Sequence, residues 1–158
     1  MSGHRKEGSD NKVEFLSIHL REKLEKIEQV LQCLAQEASR EIPIVVEGRN
    51  DVQTLRHLGV QGKIVCAKTG GKSRLDLLIQ IEDSGAKEVI LLFDFDKRGK
   101  EWTETVKQSL EKAQLKPDLT FWNQLRGLVS REVKDIEGLD AYLDTLRKKT
   151  GTMPLAGI

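Results

Sequence analysis

Residues 13–38 are apolar at helical spacing. Leu16, Leu20, Leu24, Ile27, Leu31, Leu34 and Ala38 recur at steps of four and three, with Arg21, Glu22, Lys23, Glu25, Lys26, Glu28 and Gln29 between them. This predicts an amphipathic helix of about seven turns with one apolar stripe. The stripe needs a partner. It either docks on the rest of the chain or pairs between copies, since its spacing fits just over three heptads. Before it, residues 1–12 carry Ser2, Gly3, Gly8 and Ser9 among alternating charges without periodicity, which reads as a flexible tail.

After Pro43 the period changes. Ile42–Val46 is a short β-branched run, apolar on both faces as buried parallel strands are. Gly48 breaks it, and Asn50 can cap a helix carrying Val52, Leu55 and Leu58 that stops at Gly59. Residues 63–67 form a second strand. A Gly-rich loop follows, and Ser73 with Asp76 resembles a capping box opening a helix through Leu75, Leu78, Ile79 and Ile81. Residues 89–93 are the third and most apolar strand, followed by a helix with Trp102, Val106, Leu110 and Ala113 in its stripe. Pro117 interrupts, residues 119–122 read as a fourth strand, and Ile136, Leu139, Leu143 and Leu146 mark a last helix. Strands alternating with helices predict an α/β fold: a doubly wound, mostly parallel four-stranded sheet with helices on both faces, plus the long N-terminal helix. The expected organisation is a tail over 1–12, a helical extension over 13–40, the α/β domain over 41–150 and a C-terminal tail over 151–158.

The length of 158 residues suits one core. Charged residues make up 32% of the chain, yet Lys and Arg total 26 against 25 Asp and Glu, a net charge of +1. That balance excludes a broad basic footprint, so any phosphate-binding surface must be local. No apolar run approaches the roughly 18 residues of a membrane span. The polar start has no apolar core of a secretory signal, so a cytoplasmic protein is expected. Cys33 and Cys66 alone make neither a disulfide framework nor a zinc site, and both lie in apolar patterns.

In an open α/β sheet, ligands sit beyond the carboxyl ends of the strands. There the sequence reads Glu47-Gly48-Arg49-Asn50-Asp51 after the first strand and Lys68-Thr69-Gly70-Gly71-Lys72-Ser73 after the second. After the third it reads Asp94-Phe95-Asp96-Lys97-Arg98-Gly99. Asp94 and Asp96 converge if the chain stays extended, and clustered carboxylates repel unless a cation neutralises them. Such hard oxygen ligands, completed by water, suit Mg²⁺, with Mn²⁺ as a substitute. The bland reading makes the same two residues a capping and turn pair ahead of Gly99. If the first and third strands are neighbours, in sheet order 2-1-3-4, Glu47 joins the two aspartates in one crevice. The segment ending in Gly71-Lys72-Ser73 is no P-loop, because the first glycine of that motif falls on Cys66. Its helix N-terminus can still hold a phosphate through backbone N–H groups at Gly71, with Lys72 nearby. Arg49, Lys68, Lys72, Lys97 and Arg98 share the predicted edge. Individually each reads as a solvated side chain; together they form a phosphate-contact patch. Asp51 also suits the first turn of a helix. Asp135 or Glu137 can contribute to a second metal site, and Trp102, Trp122 and Tyr142 read as packing residues.

Glu-Gly-x-x-Asp after the first strand, a Gly-rich turn after the second and Asp-x-Asp-x-x-Gly after the third resemble the Toprim domain. The matching residues are Glu47-Gly48-Arg49-Asn50-Asp51 and Asp94-Phe95-Asp96-Lys97-Arg98-Gly99. Toprim domains are shared by topoisomerases, DnaG-type primases, OLD-family nucleases and the small nuclease that matures ribosomal RNA. The chain looks most like free-standing small Toprim proteins, described as primase-like. The resemblance implies that Glu47 acts as a general acid/base or metal ligand and that Asp94 and Asp96 bind Mg²⁺. Together these residues would support cutting or joining of a phosphodiester, with Gly48 and Gly99 as structural turns. The chain departs from topoisomerases, whose tyrosine nucleophile has no counterpart beyond Tyr142, and from replicative primases, whose zinc module is missing. The expected function is Mg²⁺-dependent phosphodiester chemistry on nucleic acid, with RNA favoured over DNA, as cleavage or processing. The alternative is a non-catalytic module that retains the acidic site and binds nucleic acid or an RNA-processing complex, with residues 13–38 contacting a protein partner or a second copy.

Overall fold

The structure is a computed structural model that describes residues 2–68 and 74–152. Gly71, Lys72, the Ser73 cap and the end of the C-terminal tail lie outside the described residues. Four short strands form one all-parallel sheet: β1 (Ile44–Val46), β2 (Ile64–Cys66), β3 (Glu88–Leu91) and β4 (Lys116–Asp118), in the order β2-β1-β3-β4. β1 and β3 are the two central strands, paired Ile44 to Ile90 and Val45 to Leu91. The order reverses between them, which is where an open α/β sheet leaves a crevice.

The alternation of side chains sorts the core into two layers. Ile44, Val46, Ile90 and Leu92 face one way, onto α1 (Ser2–Ser39), α2 (Arg49–His57), α5 (Thr120–Val129) and α6 (Leu139–Thr150). Val45, Val65, Val89, Leu91 and Phe93 face the other way, onto α3 (Arg74–Asp83) and α4 (Lys97–Lys112). Both faces of β1 and β3 are therefore covered, and their sequences are apolar without interruption for that reason.

The long helix docks within the chain. Leu24, Ile27, Leu31, Leu34 and Ala38 are buried against α5 and α6. A buried ion pair reinforces this contact, with Arg147 Nη2 3.9 Å from Glu28 Oε2, and Arg21 Nη2 donates to the Thr150 carbonyl at 3.1 Å. Leu20 is half-buried, whereas Val13, Phe15, Leu16 and Ile18 are exposed, so the docked part of the stripe begins at Leu20. The helix also starts earlier than expected. Its backbone is helical from Ser2, across the segment read as a tail, which contains no proline.

Two further expectations are corrected. The fourth strand is residues 116–118, not 119–122, and Pro117 lies within it. β4 is an edge strand, where a missing N–H leaves no ladder bond unmade. Asp118 Oδ1 then accepts from the Thr120 N–H at 2.9 Å, and α5 begins. Phe121, Trp122, Leu125 and Val129 form its buried face, a helical spacing whose first two members look like a strand in isolation. In α3 the buried residues are Leu77 and Ile81, while Leu75 and Ile79 are exposed. Apolar residues Leu75, Leu77, Leu78, Ile79 and Ile81 spread around that helix, so periodicity does not define its inward face.

Candidate metal centre

β1 and β3 deliver two carboxylates to the same edge. Val46 is the last residue of β1, and Glu47 follows it, 6% exposed. Leu92 and Phe93 extend β3 as buried residues and Asp94 follows, half-buried. Glu47 and Asp94 stand on the wall of an open cleft of about 280 Å³, with Arg49, Lys68, Asp135 and Glu137. Glu47 Oε2 accepts from Lys68 Nζ at 3.0 Å. Its other oxygen, Oε1, and Asp94 Oδ1 are buried with no donor from the protein. The two carboxylates lie within hydrogen-bonding reach of each other. Two ionised carboxylates offer each other only acceptors and repel, which favours the protonated form of one of them. The Asp94 carboxyl is accordingly pushed up to about 8, first by burial, then by the hydrogen bond with Glu47 and the charges of Glu47, Asp51 and Asp135.

The surrounding acids are mostly engaged by backbone. Asp51 is buried; Oδ2 accepts from the Gly48 N–H at 3.1 Å and Oδ1 from the Glu137 N–H at 3.0 Å. It therefore closes the first turn of α2 and clips the segment before α6 onto it. Burial raises its carboxyl from the ordinary value, and those two N–H groups oppose the rise. Asp135 Oδ1 accepts from the Gly138 N–H at 2.7 Å, and Glu137 Oε1 from Asn50 Nδ2 at 3.2 Å. The Phe95 N–H donates to the Lys134 carbonyl at 2.7 Å, which ties the same segment to the end of β3.

Asp96 turns away. It is exposed and serves as the N-cap of α4, accepting from the Gly99 N–H at 2.7 Å through Oδ1. Gly99 is required by close approach, since a Cβ there would lie 2.0 Å from the Asp94 carbonyl oxygen. Gly48 is different. Its φ of −141° is ordinary extended backbone and a Cβ would meet nothing within 4 Å, so neither strain nor crowding demands glycine there. Lys97 and Arg98 are exposed on the first turn of α4, outside the cleft wall. Trp122 is buried and donates from Nε1 to the Phe93 carbonyl at 2.9 Å, bracing the backbone just before Asp94. Trp102 packs edge-on against Phe93 at 5.7 Å, and Lys68 Nζ lies over its ring, 5.2 Å from the centroid. The lysine–tryptophan contact has no sequence signature, because 34 positions separate its members.

The donor chemistry fits a hard divalent cation. Two inward carboxylate oxygens lack protein donors, and the cleft is open for water to complete a shell, as Mg²⁺ prefers. Among the described residues, no three His, Cys, Asp or Glu side chains already stand in metal-holding geometry. The preformed part is the Glu47–Asp94 pair.

Comparison with known proteins places this site in context. The family model for the Toprim domain matches residues 42–122. A UPF0292 protein from Methanosarcina barkeri is 36% identical over 131 residues, covering 83% of this chain and 90% of the relative. A UPF0292 protein from Methanocaldococcus jannaschii is 35% identical over 124 residues, 78% of this chain and 94% of its own. A solved structure of a protein from Aquifex aeolicus superposes with a TM-score of 0.59 at 29% identity, over 69% of this chain and 94% of that one.

Proposed function

The chain belongs to the Toprim domain family, and from that premise we propose that it carries out Mg²⁺-dependent phosphodiester chemistry on nucleic acid in the cytoplasm, cleaving or processing RNA in preference to DNA. The Toprim domain itself points to a metal-dependent, nucleic-acid-related function. The observation that carries the finer reading is the meeting of Glu47 and Asp94 at the carboxyl ends of the two central strands, each with a buried oxygen that no protein donor satisfies.

In this reading Glu47 and Asp94 hold Mg²⁺ or Mn²⁺, and Asp96 is a further ligand once it leaves its capping bond. An ion held by these residues would supply charge neutralisation at a phosphoryl oxygen and orientation of the attacking or leaving oxygen. Asp94 would have to give up its proton to hold the ion. Glu47 is placed to take or return a proton at the reacting oxygen, a role worth about 10²–10⁴-fold in rate. Arg49 on the cleft wall and Lys97 and Arg98 beside it position phosphates, together with Gly71 and Lys72, which the sequence alone assigns to that role. With no side chain at Gly48, the backbone of a substrate can come close to the carboxylates. The exposed Val13, Phe15, Leu16 and Ile18 in the first half of α1 offer a surface to a protein partner or a second copy.

A non-catalytic binding module with the same acidic site is the second reading. It is favoured by the engagement of Asp96, Asp51 and Asp135 with backbone N–H groups, which leaves few carboxylate oxygens for a metal. The two readings separate on one experiment. The full chain is incubated with end-labelled RNA and DNA, with Mg²⁺ or Mn²⁺. Cleavage that Glu47→Gln abolishes, with binding nearly intact, supports the enzyme. Binding without cleavage under any divalent metal, unchanged by Glu47→Gln, replaces it with the binding module.

A further inference from the structure

We propose that Lys68 is the built-in counter-ion of the metal-free site, which yields Glu47 to the divalent cation and is thereby freed to contact the substrate phosphate. The proposal rests on the reading of Glu47 and Asp94 as metal ligands. Glu47 is nearly fully buried beside a second carboxylate, a costly place for a negative charge without compensation. Lys68 supplies the compensation from 3.0 Å, and its side chain stays about one-third exposed. A second contact holds it in that pose, with the ammonium over the Trp102 ring. The main chain of Lys68 is fixed, because its N–H donates to the Glu47 carbonyl at 3.0 Å. Only the flexible side chain can move. A divalent cation on Glu47 would meet an ammonium on the same carboxylate, and the like charges drive the ammonium off. The four-carbon stem lets it swing while its root stays on the cleft wall, where a phosphate arrives next.

Lys68 thus links two ligands. It competes with the metal and assists the phosphate, so replacing it should tighten the first and weaken the second. The Trp102 contact provides a signal apart from activity. In the full-length protein, Mg²⁺ titration should shift tryptophan emission, and Trp102→Phe should remove that shift. Lys68→Met should bind Mg²⁺ about two- to fivefold more tightly by calorimetry, the range that a partly exposed ion pair is worth. The same variant should bind a short RNA more weakly in the presence of Mg²⁺, while Lys68→Arg, which keeps the charge, stays close to wild type. Wild-type or weaker Mg²⁺ affinity in Lys68→Met overturns the proposal. If wild type then still binds Mg²⁺ and Asp94→Asn does not, the metal reading survives and only the role of Lys68 falls. If neither wild type nor Lys68→Met binds Mg²⁺, both fall together.

Discussion

Asp94→Asn tests the electrostatics of the site directly. In the metal-free protein the Asp94 carboxyl is raised from 3.8 to about 8, chiefly by burial and by Glu47. A group held protonated by the fold contributes stability in full below pH 3.8. Between there and about pH 8 the unfolded chain releases the proton and the folded chain keeps it, so stability falls as pH rises. The full rise sets a ceiling of about 6 kcal/mol. Water in the open cleft screens the repulsion, and about 2–3 kcal/mol is the discounted loss. Asparagine is neutral at every pH, and its amide can donate to Glu47 as the protonated acid does. The variant therefore escapes the loss. Asp51, raised in the same direction, is present in both proteins and cancels in the difference.

The assay is thermal unfolding of both proteins in chelator at pH 4 and pH 8.5. At pH 4 the two melting temperatures should nearly coincide. At pH 8.5 the variant should melt higher by about 4–12 °C, from 2–4 °C per kcal/mol for a domain of this size. Millimolar Mg²⁺ at pH 8.5 should raise the wild type by mass action and leave the variant unmoved. A gap between the proteins that is the same at both pH values would refute the raised Asp94 carboxyl, and with it the charge repulsion argued for the empty pair.

The remaining expectations concern packing and phosphate contacts. Gly99→Ala puts a methyl 2.0 Å from the Asp94 carbonyl oxygen and should cost at least about 1–3 kcal/mol in chemical denaturation, whereas Gly48→Ala should stay within about 0.5 kcal/mol; equal effects would contradict the close approach at Gly99. Ile27→Ala should lose about 2–5 kcal/mol if α1 docks within the chain as described, and an unchanged denaturation midpoint in a monomeric sample would disprove that docking. Arg49→Ala should weaken RNA binding and flatten its dependence on log salt by up to about 0.9; an unaltered slope removes Arg49 from the phosphate contacts.

The sheet was legible because burial leaves few ways to write it. Ile44–Val46 and Val89–Phe93 are apolar at every position, and only a strand covered on both faces needs that. That these two strands are neighbours was only a condition of the sequence reading, and the observed order β2-β1-β3-β4 meets it. The placement of Glu47 and Asp94 at one edge was legible for the same reason, since each is the first polar residue after a central strand. What periodicity could not resolve were segments whose apolar residues satisfy two patterns at once. Leu119-Thr120-Phe121-Trp122 has the density of a strand, but Leu125 and Val129 complete a helical face, and Pro117 had already found its place on the edge strand. Leu75 and Ile79 show the converse, apolar residues that the helix leaves in solvent.

The Asp-x-Asp motif shows where spelling and geometry part. At i and i+2 the two aspartates spell either two ligands or one ligand and one N-cap. The residue that separates these readings is Gly99. Its bare Cα lets the first turn of α4 close against the Asp94 carbonyl, and that closure brings the Gly99 N–H to Asp96. The turn that fixes the backbone beneath Asp94 thus also occupies Asp96. Metal loading through both aspartates would have to give up one capping bond, worth about 1 kcal/mol, in return for neutralising the Glu47–Asp94 pair. The raised Asp94 carboxyl makes that exchange favourable above neutral pH and unfavourable in acid, where the proton already does the cation's work. A site built this way is selective by charge before it is selective by shape. The proton, the Lys68 ammonium and a divalent ion all meet the same demand at Glu47 and Asp94, and only the divalent ion can at once satisfy both carboxylates and bind a phosphate.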